Sequence, residues 1–274
     1  MAADDGVLSP LLKWPGGKRV ILQRLLSLMP TSFNTYYEPF LGGGALFFAL
    51  RPNYAVVADN NTDLVNCYIQ VRNRPEEVIM SLSAYRNTCE DYYAIRARVP
   101  LHDVERAARL IYLTTLSFNG IHRVNLRGEF NVPYGYKYHV KPCDPPKIRA
   151  VSRVLSSAAL ICGDFESAVR DADTGDLVYF DPPYTVAHGN NGFIKYNAEI
   201  FSWADQLRLA QVAIDLSQRG CYVFVSNADH ESIRDLYRDF ATIDVVRNSV
   251  VAASKAYRRK VTECIFWNAR SRAC

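Results

Sequence analysis

The sequence predicts an α/β domain assembled from both ends of the chain, with a mostly helical segment inserted between them. Three observations lead there. Residues 36–59 run strand, glycine turn, helix, strand, acid, the rhythm of a Rossmann-like half. The same alternation of strands and helices returns after Ile148. Between the two stretches the hydrophobic period is helical over residues 75–118 and then disappears.

The elements follow in order. Residues 18–28 place Val20, Ile21, Leu25 and Leu28 at helical spacing and stop at Pro30. Residues 36–40 form a short strand that ends in Gly42-Gly43-Gly44, residues 45–50 a helix, and residues 54–58 a second apolar run closed by Asp59. Val78, Ile79, Leu82 and Tyr85 mark the helical middle of the chain. Residues 119–146, with Gly120, Gly128, Gly135 and several prolines and tyrosines, predict hairpins and loops. Residues 159–162 are a strand ending at Gly163-Asp164, and residues 177–180 another ending at Asp181. Residues 203–219 are an amphipathic helix closed by Gly220. Residues 221–225 make a strand ending at Ser226-Asn227, residues 229–240 a helix, and residues 262–267 a last strand. The expected division is 1–66 with 150–274 as one discontinuous domain and 67–149 as the insertion.

Composition narrows the class. Of 274 residues, 49% are hydrophobic and 22% charged, ordinary for a globular chain with a sizeable core. No apolar run approaches the ~18 residues of a membrane span, and residues 1–10 lack the basic-then-apolar pattern of a secretory signal. The seven cysteines are scattered and odd in number, with no CxxC pair, which points to reduced thiols in a cytosolic protein. The net charge of +4 is uneven: residues 68–149 carry 13 Lys/Arg against 8 Asp/Glu, and the remainder 19 against 20. A polyanionic partner would therefore meet the middle of the chain. The five histidines form no HExxH or deaminase pattern, and there is no GxSxG elbow, so no metal is expected. Arg72, Arg74, Arg96, Arg98, Arg106 and Arg109 lie on predicted helices and read mostly as arginines of solvated faces, with one or two on phosphate.

Four segments carry chemistry. Asp181-Pro182-Pro183-Tyr184 follows the apolar strand Leu177-Val178-Tyr179-Phe180, at the strand end where open α/β sheets bind ligands. Two prolines fix two φ angles and remove two donors. The Asp181 carboxylate and the Pro182 carbonyl become two acceptors suited to an aromatic amine. Pulling on both N–H groups frees the nitrogen lone pair, and the carboxylate stabilises the positive charge of alkylation. Tyr184 offers a face for a flipped base. Phe40-Leu41-Gly42-Gly43-Gly44 lets a ligand approach the backbone. It is neither a P-loop nor a GxGxxG turn. With Asp59, a carboxylate placed for ribose hydroxyls or for capping the helix after Thr62, it points to an adenosyl ligand without polyphosphate. In Lys13-Trp14-Pro15-Gly16-Gly17-Lys18, Trp14 can pack into the core and Lys18 can meet an anionic ligand group.

Taken in order, these segments resemble the Dam-like DNA adenine-N6 methyltransferases of the D12 class. The resemblance also includes Phe118-Asn119-Gly120-Ile121-His122-Arg123-Val124-Asn125 and Gly128-Glu129-Phe130-Asn131-Val132-Pro133-Tyr134-Gly135, which are similar to the family's DNA-recognition hairpin. It covers nearly the whole chain. It implies a Rossmann-like S-adenosylmethionine-dependent methyltransferase sheet with helices on both faces, carrying an inserted DNA-recognition domain. It implies transfer of a methyl group from S-adenosyl-L-methionine to N6 of an adenine in double-stranded DNA, with GATC the first guess for the site.

Residue by residue, the resemblance implies that Trp14, Lys18, Glu38, Phe40, Gly42, Gly44, Asp59 and Asn60 touch the cofactor, with Asp164 and Phe165 flanking its adenine. Asp181, Pro182, Pro183 and Tyr184 would hold the target base, Asp181 also lying near the cofactor. Lys13, Arg123, Asn125 and Pro133 would face DNA. Residues 247–260 would form a mobile basic loop near DNA, and Ser226-Asn227 resembles a further family motif. A cytoplasmic, bacterial or phage-encoded monomer is expected. Methylation of RNA or of a protein amide, and a non-catalytic DNA-binding module, are the alternative readings.

Overall fold

A computed structural model describes residues 8–18, 21–125, 127–185, 201–248 and 260–268. Helix α1 spans Leu22–Leu28, four residues later than its periodicity predicts. Gly16 at φ +81° and a turn from Gly17 N–H to the Trp14 carbonyl hold the preceding residues out of the helix, and Val20 lies outside the described residues. Strand β1 (Tyr36–Glu38), α2 (Ala45–Leu50) and β2 (Ala55–Asp59) follow as expected. Gly44, the residue before α2, has φ +67°, and a Cβ there would come 2.8 Å from the Phe48 ring, so the turn requires glycine.

Four helices fill the middle: α3 (Thr62–Asn73), α4 (Pro75–Ser83), α5 (Cys89–Ala97) and α6 (Asp103–Leu116). Asn61 caps α3 by accepting from the Leu64 N–H, and α3 runs through the expected boundary at residue 66. Two isolated antiparallel bridges, Ser117 with Tyr134 and Val124 with Phe130, fold the chain between Ser117 and Tyr134 back on itself as a hairpin. Pro145-Pro146 is not loop. The pair opens α7 (Pro145–Leu155), whose first turn has no use for the missing donors, with Asp144 as cap.

The second half of the chain holds β3 (Ala158–Cys162), α8 (Phe165–Ala168), β4 (Leu177–Phe180) and α9 (Trp203–Arg219), which ends at Gly220 with φ +98°. β5 (Tyr222–Ala228) does not stop before Ser226-Asn227. It continues through them because β7 (Lys260–Trp267) pairs alongside: Ser226 with Ile265, Asn227 with Cys264, Ala228 with Glu263. The helix expected over 229–240 shortens to α10 (Glu231–Leu236), since the chain must turn into β6 (Ala241–Asn248). That strand was not anticipated, although residues 241–246 alternate half-buried and exposed with period two. Residues 249–259, most of the basic loop implied by resemblance, lie outside the described residues.

The sheet order is β3-β2-β1-β4-β5-β7-β6. β1 pairs parallel with β2 and with β4, and β4 parallel with β5, whereas β7 runs antiparallel to β5 and β6. Strand order reverses between β1 and β4, which makes the carboxyl ends of those two strands the topological switch point. Right-handed crossovers on either side of a reversal place helices on both faces of the sheet.

By contacts the chain divides into two compact units. One comprises Met1–Gly17, Leu41–Asn53 and Ala58–Gly163. The other comprises Lys18–Phe40, Tyr54–Val57 and Asp164–Cys274. The first buries Leu64, Val71, Val78, Leu82 and Leu113 among its helices. The second packs Val178, Phe180, Val223, Val225 and Phe266 of the sheet against Leu209, Ala213 and Leu216 of α9. Among the described residues no helix is long and apolar enough to cross a membrane, and the described cysteines are free thiols.

Candidate active site

In the second unit the switch point gathers charge. Asp181 follows β4 directly, and its Oδ1 lies 2.9 Å from Lys18 Nζ. The same ammonium is 3.3 Å from Glu263 Oε2, donates to the Tyr184 hydroxyl, and sits 4.7 Å from the centroid of the Tyr184 ring. Lys18 and Glu263 are almost fully buried, with side-chain exposures of 6% and 0%, while Asp181 keeps 18%. Burial pushes the Lys18 ammonium down, but Asp181, Glu263 and Tyr179 outweigh it and leave its pKa above the ordinary value. Lys18 is therefore a cation held between two protein carboxylates.

The loop is braced on its other side. Gln206 Nε2 of α9 donates to the Pro183 carbonyl at 3.3 Å, and Asn227 Nδ2 of β5 donates to Gln206 Oε1 at 2.9 Å. Two buried phenols line the strands beneath. Tyr179 donates to Ser226 Oγ at 2.9 Å and Tyr36 to Glu38 Oε2 at 2.8 Å. Burial raises the pKa of both well above the usual phenol value, and neighbouring carboxylates add to it. Both phenols stay protonated.

Beside this cluster lie Phe40 and Phe165, stacked with centroids 5.5 Å apart, against Phe180 and Phe201. Asp164 caps α8 through the Glu166 N–H and accepts two hydrogen bonds from Arg208, at 2.8 and 2.9 Å. The Arg208 guanidinium covers the Phe165 ring at 4.4 Å.

The first unit holds the glycine turn. Gly42 has φ +48°, and a Cβ there would come 3.1 Å from Trp14 Cδ1. Trp14 thus lies over the turn, and its indole stacks on His122. Asp59 Oδ2 accepts from the Gly42 N–H and Oδ1 from the Asn61 N–H, both at 2.9 Å, and the Asn60 N–H also bonds to this carboxylate. Burial raises the Asp59 pKa against the lowering effect of these donors. Asp59 does not cap α3; Asn61 does. An aromatic face, a glycine turn with no room for a Cβ, and a carboxylate held at a strand end fit an adenosyl group.

The hairpin of the same unit carries the residues expected to face DNA. Arg123 is exposed, and its Nε donates to Asn131 Oδ1 at 2.8 Å. Asn125 accepts from the Arg127 and Glu129 N–H groups and donates to Glu129 Oε2, so it builds the turn. Pro133 is exposed and its carbonyl accepts from the Phe118 N–H. Lys13 packs its aliphatic chain on Gly120, where a Cβ would lie 2.5 Å from Lys13 Cδ. Arg74 and Arg98 lie on solvated faces as expected, whereas three other helix arginines reach backbone carbonyls. Arg72 donates to the Ala158 carbonyl, Arg96 to that of Val132, and Arg109 to those of Ile95 and Arg96. They tie helices to neighbouring segments, because a guanidinium satisfies carbonyls that no ladder reaches.

Sequence reasoning missed Glu263, His122 as a stacking partner, and the Gln206–Asn227 brace. Glu263 had a readable signal: a carboxylate within the otherwise apolar run Cys264-Ile265-Phe266-Trp267 and its approach. His122 lies outside any helix or strand, and Gln206 and Asn227 are buried polar residues whose partners come from other elements, so local pattern does not show what they meet. Asp229, Asp244 and Cys264 also converge, with the Arg234 guanidinium already paired to both carboxylates.

A family model described as D12 class N6 adenine-specific DNA methyltransferase matches residues 14–251. The chain is 40% identical over 271 residues to the type II methyltransferase M1.LlaDCHI of Lactococcus lactis subsp. cremoris, covering 95% of each chain. It is 34% identical over 268 residues to the type II methyltransferase M.MjaIII of Methanocaldococcus jannaschii, covering 89% of this chain and 93% of that one. It is 31% identical over 263 residues to a DNA adenine methylase of Escherichia coli (strain K12), covering 93% of each.

Proposed function

Because the chain belongs to the D12 class N6 adenine-specific DNA methyltransferases, we propose that Asp181-Pro182-Pro183-Tyr184 is the loop at which a flipped adenine of double-stranded DNA receives its methyl group. The enzyme methylates N6 of adenine in DNA with S-adenosyl-L-methionine as donor. When bound, that cofactor supplies an electrophilic methyl group on a positively charged sulfur.

The protein's part is binding, orientation and charge. The adenine amine is a poor nucleophile because its lone pair is delocalised. The Asp181 carboxylate and the Pro182 carbonyl accept from its two N–H groups and localise that pair on nitrogen. As the N–C bond forms and the bond from methyl to sulfur breaks, leaving a neutral thioether, Asp181 would stabilise the positive charge on nitrogen until one N6 proton passes to solvent. Tyr184 stacks on the extruded base. The candidate cofactor contacts are, within the first unit, Trp14, Gly42, Gly44, Asp59 and Asn60 and, within the second, Lys18, Glu38, Phe40, Asp164, Phe165 and Asp181. Residues 67–149 serve as the recognition domain, where Lys13, Arg123, Asn125 and Pro133 meet DNA, with GATC as the first candidate site. The free thiols fit a reducing compartment, the cytoplasm, and the enzyme acts as a monomer.

The observation that carries this reading is the placement of Asp181 at the carboxyl end of β4, beside the reversal of strand order, clamped by Lys18 at 2.9 Å. The test is transfer of tritiated methyl groups to duplex DNA, RNA and protein by the native chain and by Asp181→Asn. Label on adenine N6 of DNA, lost in the variant, is the expected result. Label on RNA or protein, or an unimpaired variant, rejects it.

A further inference from the structure

We propose that Glu263 is a positioning residue for methyl transfer: from within β7 it holds the Lys18 ammonium, and through it fixes both the Asp181 carboxylate and the Tyr184 ring. The inference rests on the reading of Asp181 as the group that acts on the target amine.

Three observations carry it. Glu263 is fully buried, and its Oε2 is 3.3 Å from Lys18 Nζ. That single ammonium reaches the first and last residues of the loop, Asp181 at 2.9 Å and the Tyr184 hydroxyl. Glu263 stands opposite Ala228 in the β5–β7 ladder, one residue beyond Asn227, which braces the loop from the other side through Gln206 and the Pro183 carbonyl. Buried ion pairs are poor devices for stability, since well-packed apolar side chains usually serve as well or better. A carboxylate that holds the ammonium between the two ends of the loop instead suits a reaction whose acceptor nitrogen becomes positive beside Asp181.

Lys18 must stay protonated for the clamp to work. The groups that face it are Asp181 and Tyr184 of the loop, Glu263 of β7 and Tyr179 of β4, with the Tyr36–Glu38 pair of β1 alongside Tyr179 and Asp181. Glu263 is one of the two carboxylates that keep the proton on. Removing its charge leaves burial less opposed, so Lys18 loses its proton at lower pH and releases Asp181.

The experiment is single-turnover methylation of duplex DNA at saturating cofactor, from pH 6 to pH 11, with cofactor affinity measured separately by titration calorimetry. Glu263→Gln keeps the shape and leaves Lys18 paired with Asp181. It should slow the saturated rate about 10- to 100-fold at neutral pH, the effect of turning one charge-assisted hydrogen bond into a neutral one in a preorganised site. It should also move the alkaline limb down by about one pH unit or more, with little change in cofactor affinity. Glu263→Asp keeps the charge and should hold the limb near its native pH; it decides the matter alone if the glutamine variant does not fold. In Lys18→Met, adding Glu263→Gln should cost nothing further, because Glu263 acts through Lys18. A native rate and pH profile in Glu263→Gln overturns the proposal. So does a loss confined to cofactor affinity, or equal losses in the Gln and Asp variants with an unmoved limb. If Asp181→Asn itself methylates at the native rate, the fault lies in the reading of the loop and not in Glu263.

Discussion

The imidazole of His122 lies flat on the indole of Trp14, with ring centroids 4.3 Å apart and planes 19° from parallel. His122 also meets the edge of Phe130, whose neighbour Asn131 holds Arg123. One face of Trp14 is therefore tied to the hairpin, while its edge lies over Gly42. Burial lowers the His122 pKa from 6.5 to about 4, so the ring stacks as a neutral aromatic.

The stack gives stability a pH dependence with a defined sign. A group whose folded pKa is depressed contributes stability that is present above its unfolded value and lost as pH falls toward the folded one. Here the loss should run from pH 6.5 down to about 4. Urea melts at pH 5 and pH 7.5 should show a smaller difference in His122→Phe than in the native chain, because phenylalanine keeps the ring and carries no proton. An identical difference in both would place the acid sensitivity elsewhere.

Asp181→Ala should lower the single-turnover rate at least about 10²–10³-fold, the usual effect of removing one preorganised group from such a site. The fold should survive. Lys18 would still have Glu263 at 3.3 Å, so the loss of stability should stay below the ~3–5 kcal/mol of a buried charge left without any partner. A thermal melt beside the rate measurement separates the two effects.

Asp59→Ala should weaken S-adenosylmethionine binding by about 1.5–3 kcal/mol, the scale of hydrogen bonds to a charged group. Part of that loss comes from the turn itself, since Asp59 also holds the Gly42 and Asn61 N–H groups. Asp59→Asn, which can still accept one of these bonds, should lose less. Calorimetric titration with the cofactor checks both, and unaltered affinity in the alanine variant would confine Asp59 to shaping the turn.

Tyr184→Phe should retain more activity than Tyr184→Ala, because stacking of an aromatic on a base is worth about 1–3 kcal/mol. The phenylalanine variant will not be silent, since the hydroxyl accepts from Lys18. Fluorescence of 2-aminopurine in place of the target adenine should rise on binding in the native and Phe enzymes and rise less in the Ala enzyme. Equal loss in both variants would transfer the role from the ring to the hydroxyl.

Arg123 is exposed and pre-oriented by Asn131, which suits bidentate recognition of guanine. Arg123→Ala should cost about 1–3 kcal/mol at the cognate site and relax preference at one position. Methylation of duplexes altered at one base at a time reads this directly. A uniform drop with unchanged rank order, and a shallower salt dependence, would make Arg123 a phosphate contact.

Much of this was legible in the residue string, for reasons that differ by element. Strand β4 and the loop after it could be read because an apolar run followed by Asp181-Pro182-Pro183 is local: period, rigidity and donor loss lie in adjacent residues. The same holds for α9, whose Gly220 closes it at φ +98°, and for the turn at Gly42 and Gly44. The start of α1 was misplaced because the turn at Gly16 holds the preceding residues out of the helix, and the end of β5 because it is set by a partner far along the chain. Lys18 is held at a buried ion cluster, and Ser226-Asn227 are kept extended by β7.

By itself the sequence determined most of the strands and helices, which turns need glycine, and where a rigid loop with two acceptors follows a strand, since these follow from backbone geometry and side-chain type over a few residues. Only the tertiary structure decided what the charges pair with. Lys18 is an anion-binding candidate in the sequence, yet its ammonium lies between Asp181 and a glutamate 245 residues away. Trp14 is one aromatic among many, yet it lies on His122. A buried charge must find its partner wherever the sheet order brings one, and that order, with β7 set between β5 and β6, is a property of the whole chain.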